Sequence, residues 1–136
     1  MRFNTKIAIA VRDDLAAWQK LNVTAFLASA VAGEHPEVIG DRYQDGSGNL
    51  YLPMFPQPVL VYAAGADGLA TAHQRSLARG MRAAVYIEEM FRTGNDAANR
   101  AAVRAADADG MPLAGLAAYG PRNAVDKVFK GLPLHS

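Results

Sequence analysis

The feature that most limits the fold is the run Ile7-Ala-Ile-Ala-Val11, which is continuously apolar, rich in β-branched residues and bounded by Lys6 and Arg12. Such a run suits a strand covered on both faces, as in a parallel sheet, and that burial requires helices on either side. Three later segments, Val59 to Ala63, Ala83 to Ile87 and Leu113 to Tyr119, read as further strands. Between and after them lie stretches of helical character: about Leu15 to Val31, Asp67 to Arg79, Asn95 to Ala106 and Pro121 to Lys130. The order β-α-(hairpin)-β-α-β-α-β-α predicts a single α/β domain over residues 1–136. Its expected form is three α/β/α layers around a mixed, mostly parallel four-stranded central sheet.

Local signals refine these limits. Asp13-Asp14 is expected to cap the first helix, because a carboxylate there accepts free backbone N–H groups and complements the helix dipole. Leu15, Trp18, Leu21 or Asn22, Ala25 and Phe26 recur at helical spacing as its buried face, and Gly33 is expected just past its end. Pro121 opening the last helix and Gly131 closing it follow the usual asymmetry. From Glu34 to Pro58 the texture changes to prolines, glycines and aromatics around Asp45-Gly-Ser-Gly-Asn49. This stretch is expected to form an excursion with a small hairpin, acting as a lid or a partner-facing surface.

Composition excludes several chemistries. The chain has no cysteine, so disulfides, thiolate metal sites and cysteine nucleophiles are ruled out, and a cytoplasmic setting is expected. A net charge of +1 disfavours a nucleic-acid backbone as partner. No apolar run approaches the roughly 20 residues that span a bilayer, so no membrane association is expected. His35, His73 and His135 are scattered without metal-ligand spacing, and no phosphate-loop, dinucleotide or nucleophile-elbow motif occurs. Neither metal nor cofactor is expected.

In open α/β sheets ligands bind beyond the carboxyl ends of strands, so the residues that follow each strand are the candidate site. The first strand delivers Arg12, Asp13 and Asp14, with Lys20, Asn22 and Thr24 in the next helix. The third delivers Glu88, Glu89, Arg92 and Thr93, and the fourth Tyr119, Gly120, Pro121 and Arg122. These clusters lie together only if the three strands are parallel neighbours. Lys20 and Asn22 are two residues apart, so at most one of them points the same way as Thr24. Arg92-Thr93-Gly94-Asn95 combines a forked cation with donors at a helix start, which suits a phosphate or carboxylate; Thr93 or Asn95 as a helix cap is the alternative.

Five segments carry a family resemblance: Lys6 to Leu15, Trp18 to Phe26, Tyr43-x-Asp45-x-Ser-Gly48, Phe91-Arg-Thr-Gly94 and Gly120-Pro-Arg-x-Ala-Val-Asp-Lys-Val128. Together they resemble a bacterial family of uncharacterised proteins, number two thousand among the domains of unknown function. That family is similar in fold to peptidyl-tRNA hydrolase of the second type. The echoes here are Val11-Arg12-x-Asp14-Leu15, Arg92-Thr93 and Leu116-x-x-x-Gly120-Pro121 leading into Val125-Asp-Lys-Val128. The resemblance implies that fold, and it implies Lys20 and Glu89 as acid/base or positioning groups if an ester of RNA is cleaved.

The leading expectation is a domain that binds a small anionic or nucleotide-like ligand. Arg12, Arg92 and Thr93 would hold the anion, and Asp14, Asn22, Thr24, Gly120 and Arg122 would surround it. Ester hydrolysis on peptidyl- or aminoacyl-tRNA is one alternative. A homodimeric interaction module using Tyr43, Tyr51, Met54 and Phe55 is another.

Overall fold

The computed structural model describes residues 3–136. The first apolar run forms β1 (Thr5–Arg12), in which Ile7, Ala8, Ile9, Ala10 and Val11 are all buried. Its two faces meet different helices. Ile7, Ile9 and Val11 pack with Val23, Leu27 and Val31 of α1 (Ala17–Glu34). Ala8 and Ala10 pack with Leu69 and Ala72 of α2 (Ala66–Ala78) and with Val125 and Val128 of α4 (Arg122–Val128). A continuous apolar run is what a strand between two such covers requires.

The remaining strands are a short hairpin pair, β2 (Tyr43–Gln44) and β3 (Leu50–Tyr51), then β4 (Val59–Ala64), β5 (Ala84–Ile87) and β6 (Leu113–Pro121). The main sheet has the order β4-β1-β6-β5. The domain is therefore α/β with a mixed sheet, but not a mostly parallel one: β1 pairs parallel with β4, while β6 runs antiparallel to both β1 and β5. The reason lies in α3 (Asp96–Arg104), which packs chiefly on the 3₁₀ turn Glu88–Arg92 that follows β5. The chain enters β6 from the edge at which it left β5, so no parallel crossover forms.

α1 departs from expectation at both ends. It begins at Ala17, and the Ala16 N–H is satisfied by the side chain of Gln19. Asp14 does not cap it, because its carboxylate is held by Arg12. Gly33 lies within the helix, which runs on until the His35 N–H closes on the Val31 carbonyl and Pro36 prevents continuation. Its buried stripe is Val23, Leu27 and Val31, whereas Trp18, Leu21 and Phe26 are exposed. The helix rides close to the sheet over Gly115 of β6, where a Cβ would stand 2.5 Å from Val23 Cγ1 and 2.9 Å from Leu27 Cδ1.

The two outer strands differ. β4 is covered by the end of the chain: the Ala63 N–H bonds the Pro133 carbonyl, the His135 N–H bonds the Val61 carbonyl, and Tyr62 bridges Leu134. Among the described residues β5 has no strand beyond it. The 34–58 excursion contains a 3₁₀ turn at Pro36–Val38 and the hairpin β2/β3. The turn of that hairpin closes around Asp45, whose carboxylate accepts from the Ser47 and Asn49 N–H groups, the Asn49 side chain and the Tyr51 hydroxyl. These bonds hold its pKa far below the usual carboxylate range, the Asn49 side-chain bond contributing most.

Candidate functional site

β1, β4 and β5 all point their carboxyl ends to one edge of the sheet, where β6 begins. Arg12 stands at that edge with a side chain 13% exposed. Its Nε donates to Asp14 at 2.6 Å, and its Nη1 donates to Glu88 at 2.5 Å and to the Leu113 carbonyl at 3.1 Å. One guanidinium thus ties the ends of β1, β5 and β6 together. The Arg12 bond lowers the pKa of Asp14. With two carboxylates on one cation the cluster carries a formal charge of −1, so Arg12 has no charge left to offer an anion.

The other expected residues separate. Gly120 and Arg122 lie at the opposite edge, because β6 runs against β1: Gly120 is registered on Lys6, and Arg122 donates to the Phe3 carbonyl. Lys20 Nζ lies 3.2 Å from His135 Nε2, and the Thr24 hydroxyl donates back to the Lys20 carbonyl within α1. Asn22 turns the other way, its amide donating to the Tyr86 hydroxyl at 3.3 Å. Glu89 is exposed and forms no pair with Lys20. Thr93 bonds the Met90 carbonyl and the Asn99 side chain, Asn95 caps α3 by accepting from the Ala98 N–H, and Arg92 is exposed beside them.

Asn22 and Thr93 meet at a cleft where α1, the 3₁₀ turn and the start of α3 converge. The cleft has a volume of about 420 Å³. Its walls are aromatic. Trp18 meets Phe91 edge-on at 5.9 Å between centroids, Phe91 tilts against Tyr86 at 5.0 Å, and Phe26 meets Tyr86 edge-on at 5.6 Å. Asn22, Asn95 and Asn99 supply polar atoms among these rings, and neither Arg12 nor Lys20 lines the cleft. Burial raises the pKa of the Tyr86 hydroxyl, so it is a neutral group at physiological pH. Met90 and Phe91 both line the cleft. Met90 Sδ accepts the Ile87 N–H, and Phe91 forms part of the wall.

Helical spacing predicts Trp18 and Phe26 on the buried face of α1, and both are instead exposed. The available signal was their spacing with Asn22: positions 18, 22 and 26 form one helical stripe, distinct from the 23, 27, 31 stripe that the sheet covers. Among the described residues no group of three His, Asp or Glu side chains is placed to hold a metal ion, and no helix is long and apolar enough to cross a membrane.

The family described as "Protein of unknown function (DUF2000)" matches residues 5–136. Among solved structures, a protein of unknown function from Agrobacterium tumefaciens strain C58, Atu0240, is 49% identical, with a TM-score of 0.96 over 99% of this chain and 100% of its own. No curated protein matches the chain.

Proposed function

We propose that this chain, which belongs to the DUF2000 family of proteins of unknown function, binds a small nucleotide-like ligand in the aromatic cleft at the carboxyl end of β5. The observation that carries the reading is the grouping of aromatic rings with amides around one opening. Trp18, Phe26, Tyr86 and Phe91 surround one opening of about 420 Å³, and Asn22, Asn95 and Asn99 lie among them. A planar heterocycle gains from such walls by stacking, which is worth roughly 1–3 kcal/mol per base, and the amide halves not used within the protein, the Asn22 carbonyl and the Asn95 and Asn99 NH2 groups, offer its edge an acceptor and donors. An exposed Arg92 beside Thr93 is the cation available to an attached anion, since Arg12 is already neutralised. The aromatic and amide lining favours a nucleotide-like ligand over a bare anion.

The reading includes a fold similar to peptidyl-tRNA hydrolase of the second type. Its support is the set of motifs after β1, β5 and β6 and the placement of helices on both sheet faces. The ester-hydrolase alternative gains nothing from the geometry, because Lys20 and Glu89 neither pair nor line the cleft.

Trp18 is the chain's one tryptophan and stands in the cleft wall, so its fluorescence reports occupancy directly. Titration with a panel of nucleosides and nucleotides should quench it saturably and raise the unfolding temperature. Asn99→Ala should weaken the quench at least tenfold, and Arg92→Ala should weaken binding of the phosphorylated ligands alone. Absence of saturable quenching and of any thermal shift up to millimolar ligand would overturn the reading.

A further inference from the structure

The open edge of β5 lies at the bottom of a second, larger trough between α1 and α3, with a volume of about 720 Å³. Phe26, Leu27 and Val103 form apolar walls, and Val85 lies on its floor. The backbone there is unpaired on one side. The Glu88 N–H turns toward β6 to bond the Pro112 carbonyl, while the Ile87 N–H turns away onto Met90 Sδ. β5 has no ladder partner on its outer side among the described residues, so alternate backbone N–H and C=O groups of the strand are left facing the trough. Asp96, Arg100 and Arg104 of α3 give its rim a formal charge of +1; Asp96 is paired with Arg100, and Arg104 has no ion-pair partner among the described residues.

The same chain carries an element of the opposite shape. The hairpin β2/β3 presents Leu50 at 66% and Leu52 at 76% exposure, with Tyr43, Tyr51 and Met54 also exposed. β3 is one of only two strands in its sheet, so its outer edge is unpaired as well. Residues 41–54 contain Asp41, Arg42 and Asp45 as their charged groups, a formal charge of −1. The four hydrogen bonds on Asp45 fix the turn in advance, so docking the hairpin costs little further ordering.

We infer that the trough is the receptor for the hairpin of a second copy of this chain, β3 adding to the open edge of β5. A trough cannot be filled by its own two-fold image, because two concave surfaces leave a void between them; it needs a convex insert. The hairpin supplies one, with an unpaired strand edge to meet an unpaired strand edge, leucines for the apolar walls and a charge of opposite sign to the rim. Two such contacts related by a two-fold axis close a dimer. The trough adjoins the cleft and shares Phe26, Tyr86, Met90, Asp96 and Asn99 with it, but the inference stands on Val85, Val103 and Arg104, which line the trough alone, and so does not rest on the nucleotide reading.

Light scattering of the full chain across a concentration series tests this. The wild type should reach a mass at least twice the chain's 14.5 kDa. Leu50→Asp with Leu52→Asp changes only exposed side chains and should abolish association. Arg104→Glu, also at an exposed position, should weaken it at least tenfold. Mixing the hairpin variant with the rim variant tests the direction of docking. The rim variant's intact hairpin still fits the hairpin variant's intact trough, so this one contact of the two should restore association at a concentration where neither variant associates alone. A wild type that stays at 14.5 kDa overturns the inference and leaves the trough to a foreign extended peptide. A dimer that survives both sets of changes overturns it too, by placing the interface on another face.

Discussion

Replacing Arg12 by alanine would leave Asp14 and Glu88, which now share one guanidinium, facing each other at the end of β1 with no cation between them. Both carboxylates are partly exposed, so water recovers much of the loss. A cost of about 1–2 kcal/mol is expected in urea unfolding, with Arg12→Lys intermediate because an ammonium cannot fork to two carboxylates. His73 gives a second test at this scale. It is buried on α2, and burial lowers its pKa from the usual value near 6.5. The folded state therefore prefers the neutral ring. The stability this contributes is complete above the unfolded pKa and is lost as pH falls through the lower folded value. Unfolding free energy should decline on acidification from about pH 6.5, and His73→Leu should flatten that part of the profile. Sequence showed that Arg12 ends a buried strand. It did not show that the cation is already spent, because the partner Glu88 is 76 residues away and only the fold brings it near.

At the scale of elements, the contact between α1 and β6 depends on a missing side chain. A methyl group at Gly115 would stand 2.5 Å from Val23 Cγ1 and 3.1 Å from the Ala10 carbonyl, with atoms on both sides unable to yield. Gly115→Ala should cost about 1–3 kcal/mol in thermal or chemical unfolding. The penalty should shrink in a Val23→Ala background, where the nearest obstructing atom is gone. The elements themselves were mostly legible. Asn95 caps α3, Gly131 follows the end of α4 with positive φ, and the hairpin sits where the Asp45 to Asn49 turn predicts it. The start of α1 was not, because Asp14 had two possible partners and the stronger one, a cation, lies two residues back along the strand. Nor was the face of α1 that holds Trp18 and Phe26: hydrophobic side chains at helical spacing look alike whether a sheet or a cleft receives them.

For the whole molecule, the main unread feature was the direction of β6. A run of buried apolar residues has the same appearance in either orientation, and nothing local to Leu113–Tyr119 distinguishes a crossover from a return on the same side. That single reversal moved Gly120 and Arg122 to the far edge and left the cleft to be built by α1, the 3₁₀ turn and α3. The strand order also makes a prediction. A chain ending at Gly110 lacks β6, the strand that joins β5 to the rest of the sheet, and should be unfolded by circular dichroism and proteolysis; removing only residues 133–136 should leave a folded domain with a lower melting temperature.

The order β4-β1-β6-β5 has a consequence for how the domain is made on the ribosome. Its keystone is translated after every other strand. Until that segment emerges, the earlier strands wait with sticky flanks uncovered, and β5 has no neighbour at all. The hazardous interval for aggregation is therefore late in synthesis, when most of the polypeptide is already outside and none of it is yet safely folded.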